Sequence, residues 1–291
     1  MDHPIIKNIR TTLWIVLLGF FCLQLNAQEL GFGFRAGWSF SSFRGPLLNG
    51  ETNNYQSGIH IGPTLALKMT DKFGFRSGFI YSQAGTDYSF KNLGYMVFIN
   101  EDSRKIVMGN VDKKLIIDNT YIDIPLGAYF HVTDHIQIFG GFNLGFLVSS
   151  TAKGSLDFEF VNQQLDSYKT KLDYRYYGDE VGESSGGTAY GPVRIGGQTY
   201  EIPEFLGAYY YYENKTGSVF NVLDVGVHAG VSYFLNSALY LSVRGYYGLT
   251  DVSNNEMDLS PVLNPDNLNQ LQFDADKDQN ISLQISLGFS F

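Results

Sequence analysis

Apolar and polar residues alternate with a period of two in eight segments of the chain. In the first segment, Leu30, Phe32 and Phe34 alternate with glycine or arginine. A period of two is typical of a β-strand whose two faces meet different surroundings. The eight predicted strands comprise residues 30–41, 58–69, 73–82, 121–130, 136–148, 219–233, 239–249 and 281–291.

Short and long connections alternate between these strands. Three turns of a few residues lie around Asp71, Asp134 and Asn236. Outer-membrane barrels have an even number of strands, short periplasmic turns and long extracellular loops. The pattern predicts an all-β domain over residues 28–291, an eight-stranded antiparallel up-and-down transmembrane β-barrel with periplasmic termini. Its long extracellular loops comprise about 44–57, 90–118, 150–218 and 251–279.

A soluble antiparallel barrel or sandwich would show the same alternation, with its apolar face turned inward. Two features favour the membrane. The apolar faces of the strands carry no charge, and the opposite faces are rich in Gly and Ser, which suit the confined lumen of a narrow barrel. The composition agrees, since 32 Gly accompany 23 Phe and 20 Tyr, with only 17% charged residues.

The N-terminal segment has the pattern of a secretory signal peptide. A basic start precedes the apolar run 13–23, and Ala27 provides a small residue for cleavage. The run is shorter than the roughly 20 residues of a membrane-spanning helix, which makes an anchor the weaker alternative. Cys22, the one cysteine, would leave with residues 1–27, and one cysteine excludes a disulfide framework and a cysteine-rich zinc site.

Five short motifs lie on the predicted strands, at Tyr121–Leu126, Gly140–Gly145, Asp224–Val231, Arg244–Thr250 and Leu287–Phe291. Together they resemble the PorT-like outer-membrane β-barrel family, although the usual proline of the second motif is absent. The resemblance covers strands one to eight and so most of the mature chain, but none of the long loops. It implies an eight-stranded barrel in a Gram-negative outer membrane, and some family members are accessory proteins of the type IX secretion system.

All charges on the predicted strands fall on the Gly- and Ser-rich face. Burial in a narrow lumen requires such groups to be paired. We expect salt bridges and hydrogen bonds from the arginines to the two aspartates, which would plug the barrel. A narrow gated pore is the alternative, whereas eight strands leave too little room for a wide channel. The predicted lumen network comprises Arg35, Arg76, Asp123, Asp224, His228 and Arg244, with Lys68 and His60 on the same face.

Catalysis and nucleic-acid binding are not expected. Asp224 and His228 share the inward face, but four residues of strand separate them by roughly 13 Å. The sequence has no nucleophile elbow, zinc-protease motif or phosphate-binding loop. A net charge of −9 and a pI near 5.0 disfavour contacts to phosphates. We therefore predict a protein without enzymatic activity, cofactor or nucleic-acid partner.

The third loop, 150–218, is crowded with tyrosines and is the predicted site of contact with a surface or envelope partner. The run Tyr209–Tyr212 is interpreted as an extension of the sixth strand above the membrane, where aromatic residues lie at the interface. The alternative is a recognition surface, because tyrosine offers a large contact area at a low entropic cost.

The fourth loop is acidic. Asp274, Asp276 and Asp278 have the spacing of a calcium loop, but Gln279 replaces the required glycine and Ile285 stands where a bidentate glutamate is needed. The sequence predicts a solvated acidic tip and no specific metal site, while diffuse bridging by divalent cations to lipopolysaccharide stays open.

The last strand ends on alternating apolar residues, Leu287, Phe289 and Phe291. This pattern resembles the assembly signal of outer-membrane barrels and implies the barrel-assembly machinery as a transient partner, with outer-membrane lipid around the finished barrel. The sequence predicts a structural or surface-interaction protein of the outer membrane. The alternatives are an accessory component of a secretion or envelope machine and a narrow pore.

Overall fold

A computed structural model of the chain describes residues 29–101, 103–161, 167–264, 266–268 and 270–291. The predicted signal peptide, 1–27, lies outside them, so its cleavage stays a prediction. No helix in the described ranges is long and apolar enough to cross a membrane. The strands are β1 (Glu29–Arg44), β2 (Glu51–Lys68), β3 (Phe73–Gly78), β4 (Ile80–Ile99), β5 (Arg104–His131), β6 (Ile136–Phe160), β7 (Tyr168–Arg175), β8 (Ser184–Thr188), β9 (Val193–Ile195), β10 (Gln198–Tyr200), β11 (Pro203–Leu206), β12 (Leu223–Phe234), β13 (Leu239–Gly248) and β14 (Gln279–Ser290).

A closed ring of eight strand positions organises the fold. The ring runs β1, β2, β3 with β4, β5, β6, β12, β13 and β14, and β14 pairs with β1 to close it. Each pairing around the ring is antiparallel. The all-β prediction is confirmed, and closure leaves the ring no free edge for another chain to pair with.

The structure has more strands than the eight predicted. β7 to β11 lie within the third long connection, and β11 pairs with β7 in parallel, so the sheet is mixed outside the ring. The sixth predicted strand begins at Leu223 and not at 219. The reason is that residues near 219 turn toward an apolar core outside the ring instead of continuing the ladder.

Pro63 explains why β3 and β4 are separate strands. Proline has no N–H to donate, so a sheet interior tolerates it only at an irregular position. Pro63 lies in β2 opposite Phe79, the residue between β3 and β4, whose N–H donates to the carbonyl of Pro63 at 3.1 Å. The irregularity that Pro63 requires therefore lies in the neighbouring strand.

Several strands extend well beyond the predicted bounds. β4 and β5 pair continuously from Ile80–Asp123 to Ile99–Arg104, so most of the connection 90–118 is a long hairpin. The successive residues Met96, Val97 and Phe98 are all buried. Because both faces of the hairpin are covered, the period of two that marks a half-buried strand is lost there.

The main hydrophobic core lies outside the ring, at the end that carries the long connections. We call this region the head and define it as residues 84–121, 147–222 and 251–278, as far as the structure describes them. Its strands and turns cover one another, which gives the connections a folded interior of their own. Core side chains include Phe90, Phe98, Phe158, Leu172, Tyr200, Tyr209 and Met257.

Candidate functional site in the lumen and the head

The first layer of polar side chains across the lumen is built around Arg244 of β13. Its Nη2 donates to Oδ1 of Asn143 at 2.9 Å, and its Nη1 donates to Oε1 of Gln284 at 3.3 Å. The amide of Asn143 in turn donates to Oδ1 of Asp123 at 2.9 Å. These side chains converge because each occupies the inward set of alternating positions on its strand.

The second layer lies closer to the head and is built around Asp224. Asn280 donates to its Oδ2 at 2.8 Å, and the hydroxyl of Thr250 donates to its Oδ1 at 3.3 Å. The same amide of Asn280 lies 3.2 Å from the hydroxyl of Tyr121. Neutral amides and hydroxyls therefore satisfy this buried carboxylate.

Arg76 occupies the opposite end of the lumen, near the short turns. Its guanidinium lies over the rings of Tyr129 and Tyr240, at 5.2 and 5.5 Å from their centres, in cation–π contact. Glycines make room for both rings, since a Cβ on Gly288 would lie 2.3 Å from the ring of Tyr240, and one on Gly74 would lie 2.4 Å from the hydroxyl of Tyr129.

The expected salt bridges from arginine to aspartate are not found. Among the described residues, the ion pairs within 4.0 Å include none from Arg35, Arg76 or Arg244. The alternation predicted which face of its strand each residue occupies, but not its height along the staggered strands. Asn143 lies between Arg244 and Asp123 and is hydrogen-bonded to both.

The two lumen histidines have separate surroundings. His60 shares a hydrogen bond of 2.7 Å with the hydroxyl of Ser286. His228 packs near the ring of Phe139, and its Nδ1 is buried with no hydrogen-bond partner in the part of the chain that the structure describes. The carboxylate of Asp224 is bonded to Asn280 and Thr250, so these contacts do not form an Asp–His pair.

Most tyrosines of the third long connection are buried in the core of the head. Tyr209–Tyr212 do not extend β12, which begins at Leu223, but lie in a turn-rich segment. Tyr209 is fully buried, and its hydroxyl donates to the carbonyl of Tyr176 at 2.7 Å. Among the described tyrosines of this connection, Tyr177 and Tyr190 are exposed. A hydroxyl partner of this kind makes it favourable to bury a tyrosine, and it is not visible in the sequence.

Three carboxylates of the fourth long connection come together. Asp258, Asp276 and Asp278 each offer an oxygen within 4.8 Å of the others. Within the described part of the chain, these three carboxylates form a group that could hold a metal ion. They line a cavity of about 120 Å³ with Lys113 and Glu51. The tip is therefore half-buried and not fully solvated. The spacing motif indicated two members of this group, Asp276 and Asp278, whereas no local pattern indicated Asp258.

Burial changes the ionisation of this acidic cluster. It raises the pKa of the Asp258 carboxyl to about 8 and that of Asp278 to about 7, and the negative charges of neighbouring aspartates add to both increases. Burial lowers the pKa of Lys113 in the same cavity. The cluster can therefore hold protons at neutral pH, where ordinary aspartates are ionised.

The residues of the proposed assembly signal lie on the outer face of β14 and at its end. Leu287 pairs with Ala36 and Phe289 with Phe34, and the N–H of Phe291 donates to the carbonyl of Phe32 at 2.7 Å. The last residues thus complete the ring closure, and their side chains are exposed.

Three solved structures are similar to the chain only at low TM-scores. The Ail protein of Yersinia pestis has a TM-score of 0.34 at 9% identity, with 90% of this chain and 99% of that chain covered. Neisserial surface protein A has a TM-score of 0.31 at 11% identity, with 89% of this chain and 97% of that chain covered. OprG of Pseudomonas aeruginosa has a TM-score of 0.30 at 12% identity, with 91% of this chain and 97% of that chain covered. These likenesses are too weak to argue from, and no curated protein matches the chain.

The family comparison is more informative, because it covers most of the chain. The model of the outer membrane protein beta-barrel domain matches residues 26–254, which include the ring from β1 to β13. A beta-barrel domain agrees with the closed ring of strands. The chain belongs to the outer membrane protein beta-barrel domain family.

Proposed function

We propose that the protein is an anchor in the outer membrane that presents the head at the cell surface, with a structural or interaction role and no catalysis. The observation that supports this most is the outer face of the ring. Large apolar side chains are bare there, with Trp38 66%, Phe142 60% and Phe32 59% exposed. Exposing such area to water costs roughly 25 cal/mol per Å², so the face requires lipid.

The ring of eight positions then spans the membrane as an antiparallel barrel. Its short turns and both termini lie in the periplasm, and the long connections lie outside, as in other outer-membrane barrels. Placement of the head at the extracellular end follows from this orientation.

The folded head supports an interaction role. Its core fixes the backbone of the third long connection, so a partner would bind a surface that is already ordered, at a reduced entropic cost. The exposed side of this connection, with Tyr177, Tyr190 and the strand β8 (Ser184–Thr188), is the surface proposed for an envelope or surface partner.

The two alternatives have less support. The layers around Arg244 and Asp224 cross the lumen, which disfavours a narrow pore. A role as an accessory component of a type IX-like secretion machine, like membership of the PorT-like family, depends on the five sequence motifs alone. We also propose that the barrel-assembly machinery recognises Leu287, Phe289 and Phe291.

Cysteine labelling tests the orientation. Cys22 lies in the predicted signal peptide, so a single cysteine can be introduced into an otherwise cysteine-free mature chain. A membrane-impermeant maleimide on intact cells should label Ser185→Cys in the head. It should label Asp134→Cys in a short turn only after the outer membrane is permeabilised. Labelling of Asp134→Cys in intact cells would overturn the orientation.

Site-specific photo-crosslinking tests the interaction role. A photoreactive residue at Tyr190 should capture a defined envelope or surface protein in living cells, and the same residue at Asp134 should not capture it. If Tyr190 captures no protein, the interaction role is wrong and a structural role remains. Conductance steps in planar bilayers would instead support the pore.

A further inference from the structure

A small cavity inside the ring is surrounded by hydrogen-bond donors. Its volume is about 30 Å³, and its walls include Arg35, Arg76, Thr64, Ser242 and His228. A cavity of this size holds about one or two water-sized particles. None of its described lining residues carries a carboxylate. Guanidinium and hydroxyl groups in such a wall match the chemistry of an anion.

Arg35 supplies an observation independent of the composition of the wall. It is only 7% exposed, and its Nε and Nη2 atoms are buried without a hydrogen-bond partner among the described residues. Its partners on the neighbouring strands are Gly62 and Gly288, which offer no side chain to accept from it. Leaving a buried charged donor unpaired is costly, and an anion in the cavity would satisfy it.

Arg76 lines the same cavity from β3. Its guanidinium rests on two tyrosine rings and takes part in none of the ion pairs between described residues. Two guanidinium groups that line one small cavity repel each other. A negative charge between Arg35 and Arg76 would replace this repulsion by two attractions.

The charge balance of the lumen points the same way. The described strands place three guanidinium groups in the interior against the two carboxylates of Asp123 and Asp224. Lys68, at the mouth, is already paired with Glu29 and Asp71 at 3.2 and 3.4 Å. One monovalent anion would therefore bring the interior to neutrality.

An entry route exists from the end with the short turns. A vestibule of about 770 Å³ opens there, and Arg76 lines both this vestibule and the inner cavity. On the other side, the layer of Arg244, Asn143 and Asp123 fills the interior. The cavity is thus a dead end behind Arg76, which suits binding better than passage.

We infer that the cavity between Arg35 and Arg76 binds one small monovalent anion, such as chloride or formate, that enters past Arg76 from the short-turn end. The site is independent of the role proposed for the head. Bound anion would stabilise the assembled barrel by mass action, because the unfolded chain does not form the site.

The test measures the unfolding temperature of the purified full chain in detergent at constant ionic strength, with sodium chloride against sodium gluconate, an anion too large for the cavity. Chloride should raise Tm by about 2–4 °C in a saturable manner. Formate reports whether a carboxylate also fits. Equal Tm values in chloride and gluconate would overturn the inference.

Matched variants locate the effect. Arg35→Gln and Arg76→Gln should abolish the chloride-dependent shift, whereas Lys68→Gln, which removes one positive charge outside the inner cavity, should keep it. An unchanged shift in Arg35→Gln would show that chloride acts elsewhere. If Arg35→Gln does not assemble, the chloride NMR line width measured with each of the other proteins decides. The line should be broad with the wild-type protein and with Lys68→Gln, and narrower with Arg76→Gln.

Discussion

Arg244 donates to Asn143 at 2.9 Å and so joins two strands whose residues are 101 positions apart in the chain. Asn143 also donates to Asp123, so one neutral amide links a buried cation to a buried anion. An amide can do this because it offers an acceptor on one side and donors on the other.

Replacing Asn143 should destabilise the barrel more than its size suggests. Asn143→Leu removes a partner from both Arg244 and Asp123, and hydrogen bonds to charged groups contribute about 1.5–3 kcal/mol each. Urea unfolding in lipid vesicles measures the change. Ser232→Ala is the control, because its buried hydroxyl has no partner. Equal midpoints for the two variants would contradict the bridging role.

Gly288 should be intolerant of even one methyl group. A Cβ there would lie 2.3 Å from the ring of Tyr240, which supports Arg76. Overpacking of this kind costs about 1–3 kcal/mol. Gly245→Ala is the matched control on β13, where the nearest atom would be 3.9 Å away. The unfolding midpoint should fall for Gly288→Ala alone, and a matching fall in the control would argue for a general glycine effect.

The ring could be predicted from the sequence because a membrane barrel keeps one face apolar and the other polar throughout. Trp38 and Arg35 belong to opposite faces for that reason alone. The head could not be predicted in the same way. Phe98 and Phe158 lie far apart in the chain, yet their rings pack against each other with their centres 6.2 Å apart. No local pattern in the sequence encodes this contact.

The lumen was partly predictable. The alternation placed Arg35, Arg76 and Arg244 inside, but pairing depends on the height of each residue along tilted strands. The bridging roles of Asn143 and Asn280 and the stacking of Arg76 on tyrosines depend on that height. The sequence does not distinguish the uncharged residues that bind the lumen charges from other polar residues.

The acidic part of the head should loosen as pH rises. Folding raises the pKa of Asp258 from 3.8 to about 8, that of Asp278 to about 7 and that of Asp274 to about 6. The native head therefore binds protons that the unfolded segment releases, so stability is full in acid and falls through this pH range. Hydrogen exchange of residues 251–279, with a chelator present, should be less protected at about pH 8 than at about pH 5.

Neutralising one member of the cluster should weaken this pH dependence. Asp258→Asn eliminates the carboxyl with the largest of these increases, so its loss of protection between the two pH values should be clearly smaller than that of wild type, with Asp278 and Asp274 responsible for the remainder. Asp266→Asn, at an exposed position of the same connection, should behave as wild type. A pH response in Asp258→Asn as large as that of wild type would mean that other groups control the segment.

Tyr209 should matter for the head and not for the ring. Its hydroxyl donates to Tyr176 and accepts from the N–H of Val219 at 3.3 Å. Tyr209→Phe removes both contacts and should cost about 0.5–1.5 kcal/mol for each. Protease treatment of intact cells should cleave the head faster, while the ring stays assembled. Tyr190→Phe, at an exposed position, is the control, and equal cleavage of both variants would contradict the assignment.

Removal of Phe291 tests whether the last residue acts in assembly. Its side chain is 83% exposed, so deletion sacrifices little packing and one backbone hydrogen bond to Phe32. A purely structural role therefore predicts a near-normal barrel, whereas an assembly signal predicts a several-fold lower level in the outer membrane. Trp38→Ala removes another exposed aromatic side chain and leaves the C-terminus intact. The level of each variant in the outer-membrane fraction is measured, together with the refolding of each purified chain into detergent. If both variants refold equally well but only the Phe291 deletion is depleted from the outer membrane, the last residue acts in assembly.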